Sequence, residues 1–211
     1  HTIGRRQRQM CIRDSVCNGP EEFQRFSNVP RGIAGYFQPS NGELVVYDDS
    51  AIDRNVTLAI LIHEAFHQYC HVLMSGAEAH RWFDEGHGDY YAGIELERGR
   101  ARIAKRQPGN LDRLPVIKRM VKEGTWAPLS THIHFGHAEW LNQGPTDDAS
   151  YAQSWALIYF LREGALGNVR RRLWDDAYST ILPRYVETLS EGFAAETAAI
   201  VAEREARALE D

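Results

Sequence analysis

Cysteine is scarce in this chain of 211 residues. Only Cys11, Cys17 and Cys70 occur, and the first two lie close together near the start. Three thiols cannot build a disulfide framework, so the fold has to stand on its core. Long apolar runs are also missing. None approaches the roughly 20 residues that a membrane-spanning helix needs, so no membrane segment is expected. There is no excess of positive charge: 24 basic residues face 29 acidic ones, for a net charge of -5. A broad electrostatic hold on nucleic acid is therefore not expected. No solenoid-length repeat, Gly/Ser-rich linker or phosphate-binding glycine loop interrupts the body of the chain.

The beginning of the chain fits no targeting pattern. It has no initiator Met, and Arg5, Arg6, Arg8 and Arg13 are scattered without an apolar period. The run from Gln7 to Ser15 resembles translated sequencing-adaptor read-through. Residues 1–22 are expected to be non-native or disordered, and residues 23–211 to form a single domain.

Within that domain, 32–37 and 43–47 look extended and flank a turn, Gln38-Pro39-Ser40-Asn41-Gly42, which predicts a hairpin. Asp48, Asp49, Ser50 and Asp53 offer N-caps for a helix running to about Met74, which Ser75-Gly76 ends. Leu58, Ile60, Leu61, Ile62, Phe66, Val72 and Leu73 make this helix apolar on nearly all sides, which predicts a buried central element. Helices are expected over about 79–97, 112–122 and 151–162, with irregular chain over 125–149. A further helix is expected over 169–189, interrupted by Pro183, and another from Ala194 onward. A small sheet followed by helices makes the fold class α+β.

The central helix carries His63-Glu64-Ala65-Phe66-His67, an HExxH motif. Residues i and i+4 lie about 40° apart around a helix and roughly 6 Å along it, so both imidazoles can face one ion. Two imidazoles and a carboxylate on an otherwise apolar helix would be costly to bury without a partner such as a metal. Zinc suits such a site, with three protein ligands and one open position. Glu64 can then take a proton from the attacking water. The third ligand is expected at Glu85, in Trp82-Phe83-Asp84-Glu85-Gly86-His87. The 17 residues between His67 and Glu85 allow a turn and the start of an antiparallel helix. Asp89, one turn after Glu85, can accept the free ring N–H of a zinc histidine.

HExxH followed by a glutamate in a W-x-x-E-G context resembles a gluzincin metallopeptidase, and in particular small bacterial members of the peptidase MA-like group. The matching stretches are Gly35-Tyr36 through Asp49, His63 through Gln68, Glu85 through Tyr90, and Tyr151 through Leu161. The resemblance implies a zincin-like fold: a small N-terminal sheet packed on the HExxH helix, then a mainly helical C-terminal part. It implies Zn2+ as cofactor, a peptide or protein as substrate, and a secreted or periplasmic location. It also implies a role for Tyr151, since a tyrosine opening a similar helix stabilises the oxyanion in gluzincin aminopeptidases. The aminopeptidase motif G-x-M-E-N is absent. Gly32-Ile33-Ala34-Gly35-Tyr36 stands in its place, with no acid to hold a substrate amine, so an endopeptidase is the closer reading. Gly35 and Tyr36 would then bind an extended substrate through the backbone, if their strand is a sheet edge.

Two other functions would use the same residues: hydrolysis of a non-peptide amide or ester, and a non-catalytic zinc domain that presents a peptide-binding groove. An intact Glu64 speaks against the second, because a structural zinc needs ligands and no base. His132, His134 and His137 could form a second metal site or rim a cleft. His71 and His87 are expected to be structural, and Cys70 a buried core thiol.

Overall fold

The computed structural model describes residues 13–27, 29, 33–48, 50–97, 100–104, 107–108, 111–141 and 148–210. The architecture is α+β, with a small sheet at the start and helices after it. The sheet contains β1 (Arg13–Cys17), β2 (Gly35–Gln38) and β3 (Glu43–Tyr47), in the order β1-β3-β2. β3 is central, parallel to β1 and antiparallel to β2. Its Leu44, Val45 and Val46 are buried on both faces, the pattern of a strand covered from two sides. β2 and β3 are the expected hairpin, closed by Gly42 at φ 69°. Gly32 and Asp49 lie outside the described residues.

One face of the sheet packs on α1 (Pro20–Phe26), where Cys17, Phe23 and Val45 form a small core with Tyr36 and Tyr47. Of the stretch expected to be non-native or disordered, residues 1–12 lie outside the described residues, and 13–22 carry β1 and the start of α1. β1 supplies five consecutive pairs to β3, from Arg13 with Glu43 to Cys17 with Tyr47.

The other face packs on α2 (Ser50–Leu73). This helix kinks at Asp53, whose backbone is extended (φ −153°, ψ 103°) and whose carboxylate accepts from the Asn55 N–H at 2.9 Å. Asp53 thus caps the long straight segment. Ser75 and Gly76 end α2 at positive φ, and the Gly76 N–H returns to the His71 carbonyl. The helix is less buried than its composition predicts, since Leu58, Tyr69, Val72 and Leu73 are all exposed. The sheet and the next helix cover only part of its circumference.

α3 (Arg81–Ala92) returns along α2 and stops at Gly93, earlier than expected. The Ile94–Glu97 stretch alternates apolar and acidic residues. It forms β4, which pairs with β5 (Arg100–Ile103) instead of extending the helix. α4 (Arg113–Glu123) is capped by the Asp112 side chain and closed by Gly124 in the left-handed conformation. The expected irregular stretch contains two short helices, α5 (Leu129–His132) and α6 (His137–Leu141). α7 (Asp148–Ala165) packs on α3 and α4. Gly86 permits the close α3–α7 approach, because a β-carbon there would meet the Ser154 carbonyl at 2.8 Å.

The main core is aromatic: Phe66 from α2, Trp82, Phe83 and Tyr90 from α3, Trp140 from α6, and Trp155 and Ile158 from α7. Cys70 lies in it as expected, its Sγ 3.7 Å from Met74 Sδ, and burial pushes its thiol up to about 12. Two short 3-10 turns follow, then α8 (Ile181–Glu210). Pro183 sits in the first turn of α8 and does not break it, because the first turn has no N–H to lose. Among the described residues, no helix is long and apolar enough to cross a membrane.

Candidate metal centre

The antiparallel return of α3 along α2 brings Glu85 to the two histidines. His63 Nε2 lies 3.2 Å from Glu85 Oε2, and His67 Nε2 lies 3.6 Å from the same oxygen. One donor atom from each of the three residues lies within 4.8 Å of the other two. The other ring nitrogens face acids. His63 Nδ1 is 3.2 Å from Asp89 Oδ1, and His67 Nδ1 is 2.9 Å from Asp84 Oδ1. An acid beside each Nδ1 favours a proton there and leaves Nε2 facing inward, the arrangement that metal-binding histidines use, although the His67–Asp84 contact is not aligned as a hydrogen bond.

This donor set fits a metal that takes nitrogen and oxygen ligands. Glycine supplies a second observation. A β-carbon at Gly88 would lie 2.8 Å from His63 Cε1 and 2.9 Å from both ring nitrogens. The imidazole occupies the space that any larger residue at 88 would take. His63, His67 and Glu85 could thus hold a metal ion.

The electrostatics are those of a tightly paired cluster. Burial opposes a charge on His63, but contacts with Asp89 and Glu85 hold its pKa at about 10. His67 is likewise raised well above its ordinary value by Asp84 and Glu85, against the effect of burial. Burial raises Glu85, but both histidines outweigh it and hold this carboxyl far below the usual range. Glu64 behaves differently. Its pKa is raised, first by burial, against the pull of His63 and His67. Of the two glutamates at the centre, one is therefore held in its ionised form and the other is eased toward its protonated form.

Glu64 also touches the sheet: a β-carbon at Gly35 would lie 3.0 Å from Glu64 Cγ and 2.9 Å from Ile60 and Val46. Gly35 is what lets β2 approach the helix at this point. Tyr36 points the other way. Its ring packs edge-on to Phe23, with centroids 5.9 Å apart, in the small core beyond the sheet. A side-chain role for Tyr36 at this centre is excluded by the two-residue period of the strand.

Tyr151 is the fourth residue of α7. Burial raises the pKa of its phenol, the charges of Glu85 and Asp89 raise it further, and Arg81 opposes them, so the hydroxyl shares the field of the cluster. The ring packs edge-on to Trp140.

The remaining histidines disperse. His132 is buried, with Nε2 2.7 Å from Ser154 Oγ. Burial lowers its pKa to about 4. His134 Nδ1 faces the Ser130 carbonyl, and His137 Nδ1 lies 2.6 Å from Arg81 Nη2. These three have separate partners and form no second metal cluster among the described residues. His87 is fully buried, with Nδ1 2.7 Å from the Phe83 carbonyl, and accepts from Arg162 at Nε2. Burial and Arg162 lower its pKa to about 3, consistent with a structural role. His71 packs against Phe37. An apolar groove between the end of α2 and α8, lined by residues including Leu73, Phe193 and Val201, holds none of the cluster residues.

Four neighbours of the centre escape the motif. Arg81 reaches Glu85 Oε1 at 3.4 Å, and its i−4 spacing was a readable signal. Gly88 was signalled by a glycine inside a helical pattern, which costs about 1 kcal/mol relative to alanine unless packing requires it. Asp84 was visible only as one more acid beside Glu85. Arg113, which binds Asp89, carries no local signal at all.

A family model described as a protein of unknown function, DUF1570, matches residues 57–175, more than half of the chain, and the chain belongs to that family. No curated protein and no solved structure matches it.

Proposed function

We propose that this member of the DUF1570 family is a zinc-dependent peptidase of gluzincin type, with a zincin-like fold, acting on extended peptides as an endopeptidase. The observation that carries the reading is the convergence of His63 Nε2, His67 Nε2 and a Glu85 oxygen, with Glu64 on the same helix and bound to none of them. A structural metal site would need the first three residues and no base.

His63, His67 and Glu85 would hold the ion, which when bound supplies Lewis-acid polarisation of the scissile carbonyl. Glu64 takes a proton from the attacking water as its oxygen bonds to the carbonyl carbon. The same carboxyl then gives that proton to the leaving nitrogen as the C–N bond breaks. Its raised pKa suits both halves of this exchange. The Tyr151 hydroxyl donates to the carbonyl oxygen as negative charge develops there.

β2 is a sheet edge among the described residues. The Tyr47 N–H donates to the Ala34 carbonyl. Alternation in an antiparallel ladder then directs the Tyr36 backbone toward β3 and the Gly35 and Phe37 backbones outward. An extended substrate would therefore pair with Gly35 and Phe37, next to Glu64.

The test is metal analysis of the purified chain combined with cleavage of a peptide library, with Glu64→Gln as control. Zinc in the protein and cleavage lost in the control support the reading. Cleavage unchanged in Glu64→Gln overturns it.

A further inference from the structure

We propose that Arg113 is a positioning residue for the metal centre, acting on His63 through Asp89. This rests on the metal site proposed above. Arg113 is the first residue of α4, and its side chain, only 8% exposed, lies against α3 and α7. Its Nε donates to Asp89 Oδ2 at 2.7 Å, and its Nη2 reaches Asp89 Oδ1 at 3.4 Å. Its Nη1 donates to Asp148 Oδ1 at 2.7 Å. The guanidinium therefore grips one side of the Asp89 carboxylate while Oδ1 faces His63 Nδ1. A carboxylate held at both oxygens cannot turn about its last bond, so the direction of the imidazole is set from α4.

A second tie joins the same two places. The Gln107 side-chain amide donates to the Asp89 carbonyl at 2.9 Å, and the Arg113 N–H donates to the Gln107 side-chain oxygen at 3.1 Å. Both the side chain and the main chain of Asp89 are thus fixed to the start of α4.

The other ligand histidine has no such support. Asp84, the acid behind His67, is 31% exposed, and neither His67 Nδ1 nor Asp84 Oδ1 has an aligned hydrogen-bond partner. The two acids are held unequally: Asp89 is gripped by Arg113, whereas Asp84 Oδ1 has no hydrogen-bond partner among the described residues. The Arg113 central carbon also lies 5.1 Å from the centroid of the Tyr151 ring, so the same guanidinium packs against the proposed hydroxyl donor.

A merely structural staple between α3, α4 and α7 would share these contacts. A double-mutant cycle on zinc affinity separates the two roles. Zinc dissociation constants are measured by chelator competition for the full chain, for Arg113→Met, for Asp89→Asn and for the double variant, with folding checked by circular dichroism. If Arg113 acts through Asp89, each single variant should bind zinc about 10- to 100-fold more weakly. The double variant should then be no weaker than the worse single one. Affinity unchanged in Arg113→Met, or losses that multiply in the double variant, overturns the proposal. Should Arg113→Met fail to fold, Arg113→Lys keeps the charge and loses the fork. It should weaken binding and shift the visible absorption of the cobalt-substituted chain; affinity and spectrum identical to the parent overturn the proposal. A parent chain that takes up no zinc overturns the metal site itself, and this inference with it. A parent that binds zinc beside an unaffected Arg113→Met overturns this inference alone.

Discussion

The imidazole of His63 lies directly against the backbone of Gly88: a β-carbon at position 88 would be 2.8 Å from His63 Cε1 and 2.9 Å from both ring nitrogens. Three ring atoms cannot all move out of the way while Asp89 holds Nδ1 and Glu85 faces Nε2. Gly88→Ala should therefore tilt the ring and weaken zinc binding about tenfold or more, as for loss of an orienting partner. Gly192→Ala, at a helical position with nothing within 4 Å, is the control. Competition titration of the two variants checks this, and equal zinc affinities would refute it.

Zinc content tests the ligand set. The purified chain should carry about one zinc per molecule, and His67→Ala should lose most of it, because two remaining ligands cannot hold a catalytic ion. Elemental analysis after gel filtration reads the result. Retention of the full complement would remove His67 from the site.

Glu64 should separate binding from chemistry. It is half-buried beside the histidines, within reach of their charges, and is not one of the three residues whose donor atoms converge. Glu64→Gln should keep zinc and lose about 10²-fold or more in peptide cleavage. A variant that loses the metal would make Glu64 a ligand or a prop.

Tyr151→Phe keeps the ring that packs on Trp140 and Arg113 and deletes only the hydroxyl. Stability and zinc content should stay close to those of the parent. kcat should fall about 10²- to 10³-fold with little change in KM, as for one oxyanion donor. A loss confined to KM would assign the hydroxyl to ground-state binding instead.

Acid stability should report on His132. Burial lowers its pKa from 6.5 to about 4 in the fold. Between these values the unfolded chain binds a proton that the folded chain does not. Its contribution to stability is therefore complete above pH 6.5 and is lost as pH falls toward 4. The slope is at most one proton's worth, about 1.4 kcal/mol per pH unit. Urea unfolding of His132→Asn at pH 7 and pH 4.5 should show a smaller difference than the parent. An equal or larger difference would place the acid sensitivity in other groups.

Local signals were legible where one chain segment contains the whole device. The HExxH spacing is a statement about one helix, so the pairing of His63 with His67 follows from helical geometry alone. The Asp112 cap and the Gly124 stop of α4 are equally local, as are the Pro39–Gly42 turn and the two strands it joins. Segment ends that depend on a competing partner were less legible. Ile94–Glu97 can continue a helix or alternate as a strand, and pairing with β5 decides for the strand. Pro183 breaks a helix only when it falls inside one, and the start of α8 at Ile181 puts it in the first turn.

The sequence by itself determined the chemistry available: two imidazoles and a carboxylate on one helix turn, an acid in reach after a short return, and too few cysteines for a disulfide framework. Tertiary structure alone decided how that chemistry is aimed. Asp84 and Asp89 take one histidine each only because α3 runs back along α2 at the right height. Arg113 arrives 24 residues after Asp89 because α4 packs on α7. Tyr36 turns away from the centre because Gly35 must face Glu64, and successive strand residues point to opposite sides. Spacing along a chain fixes which residues can meet within a helix turn; contacts between elements depend on packing angles and register, which no local pattern encodes.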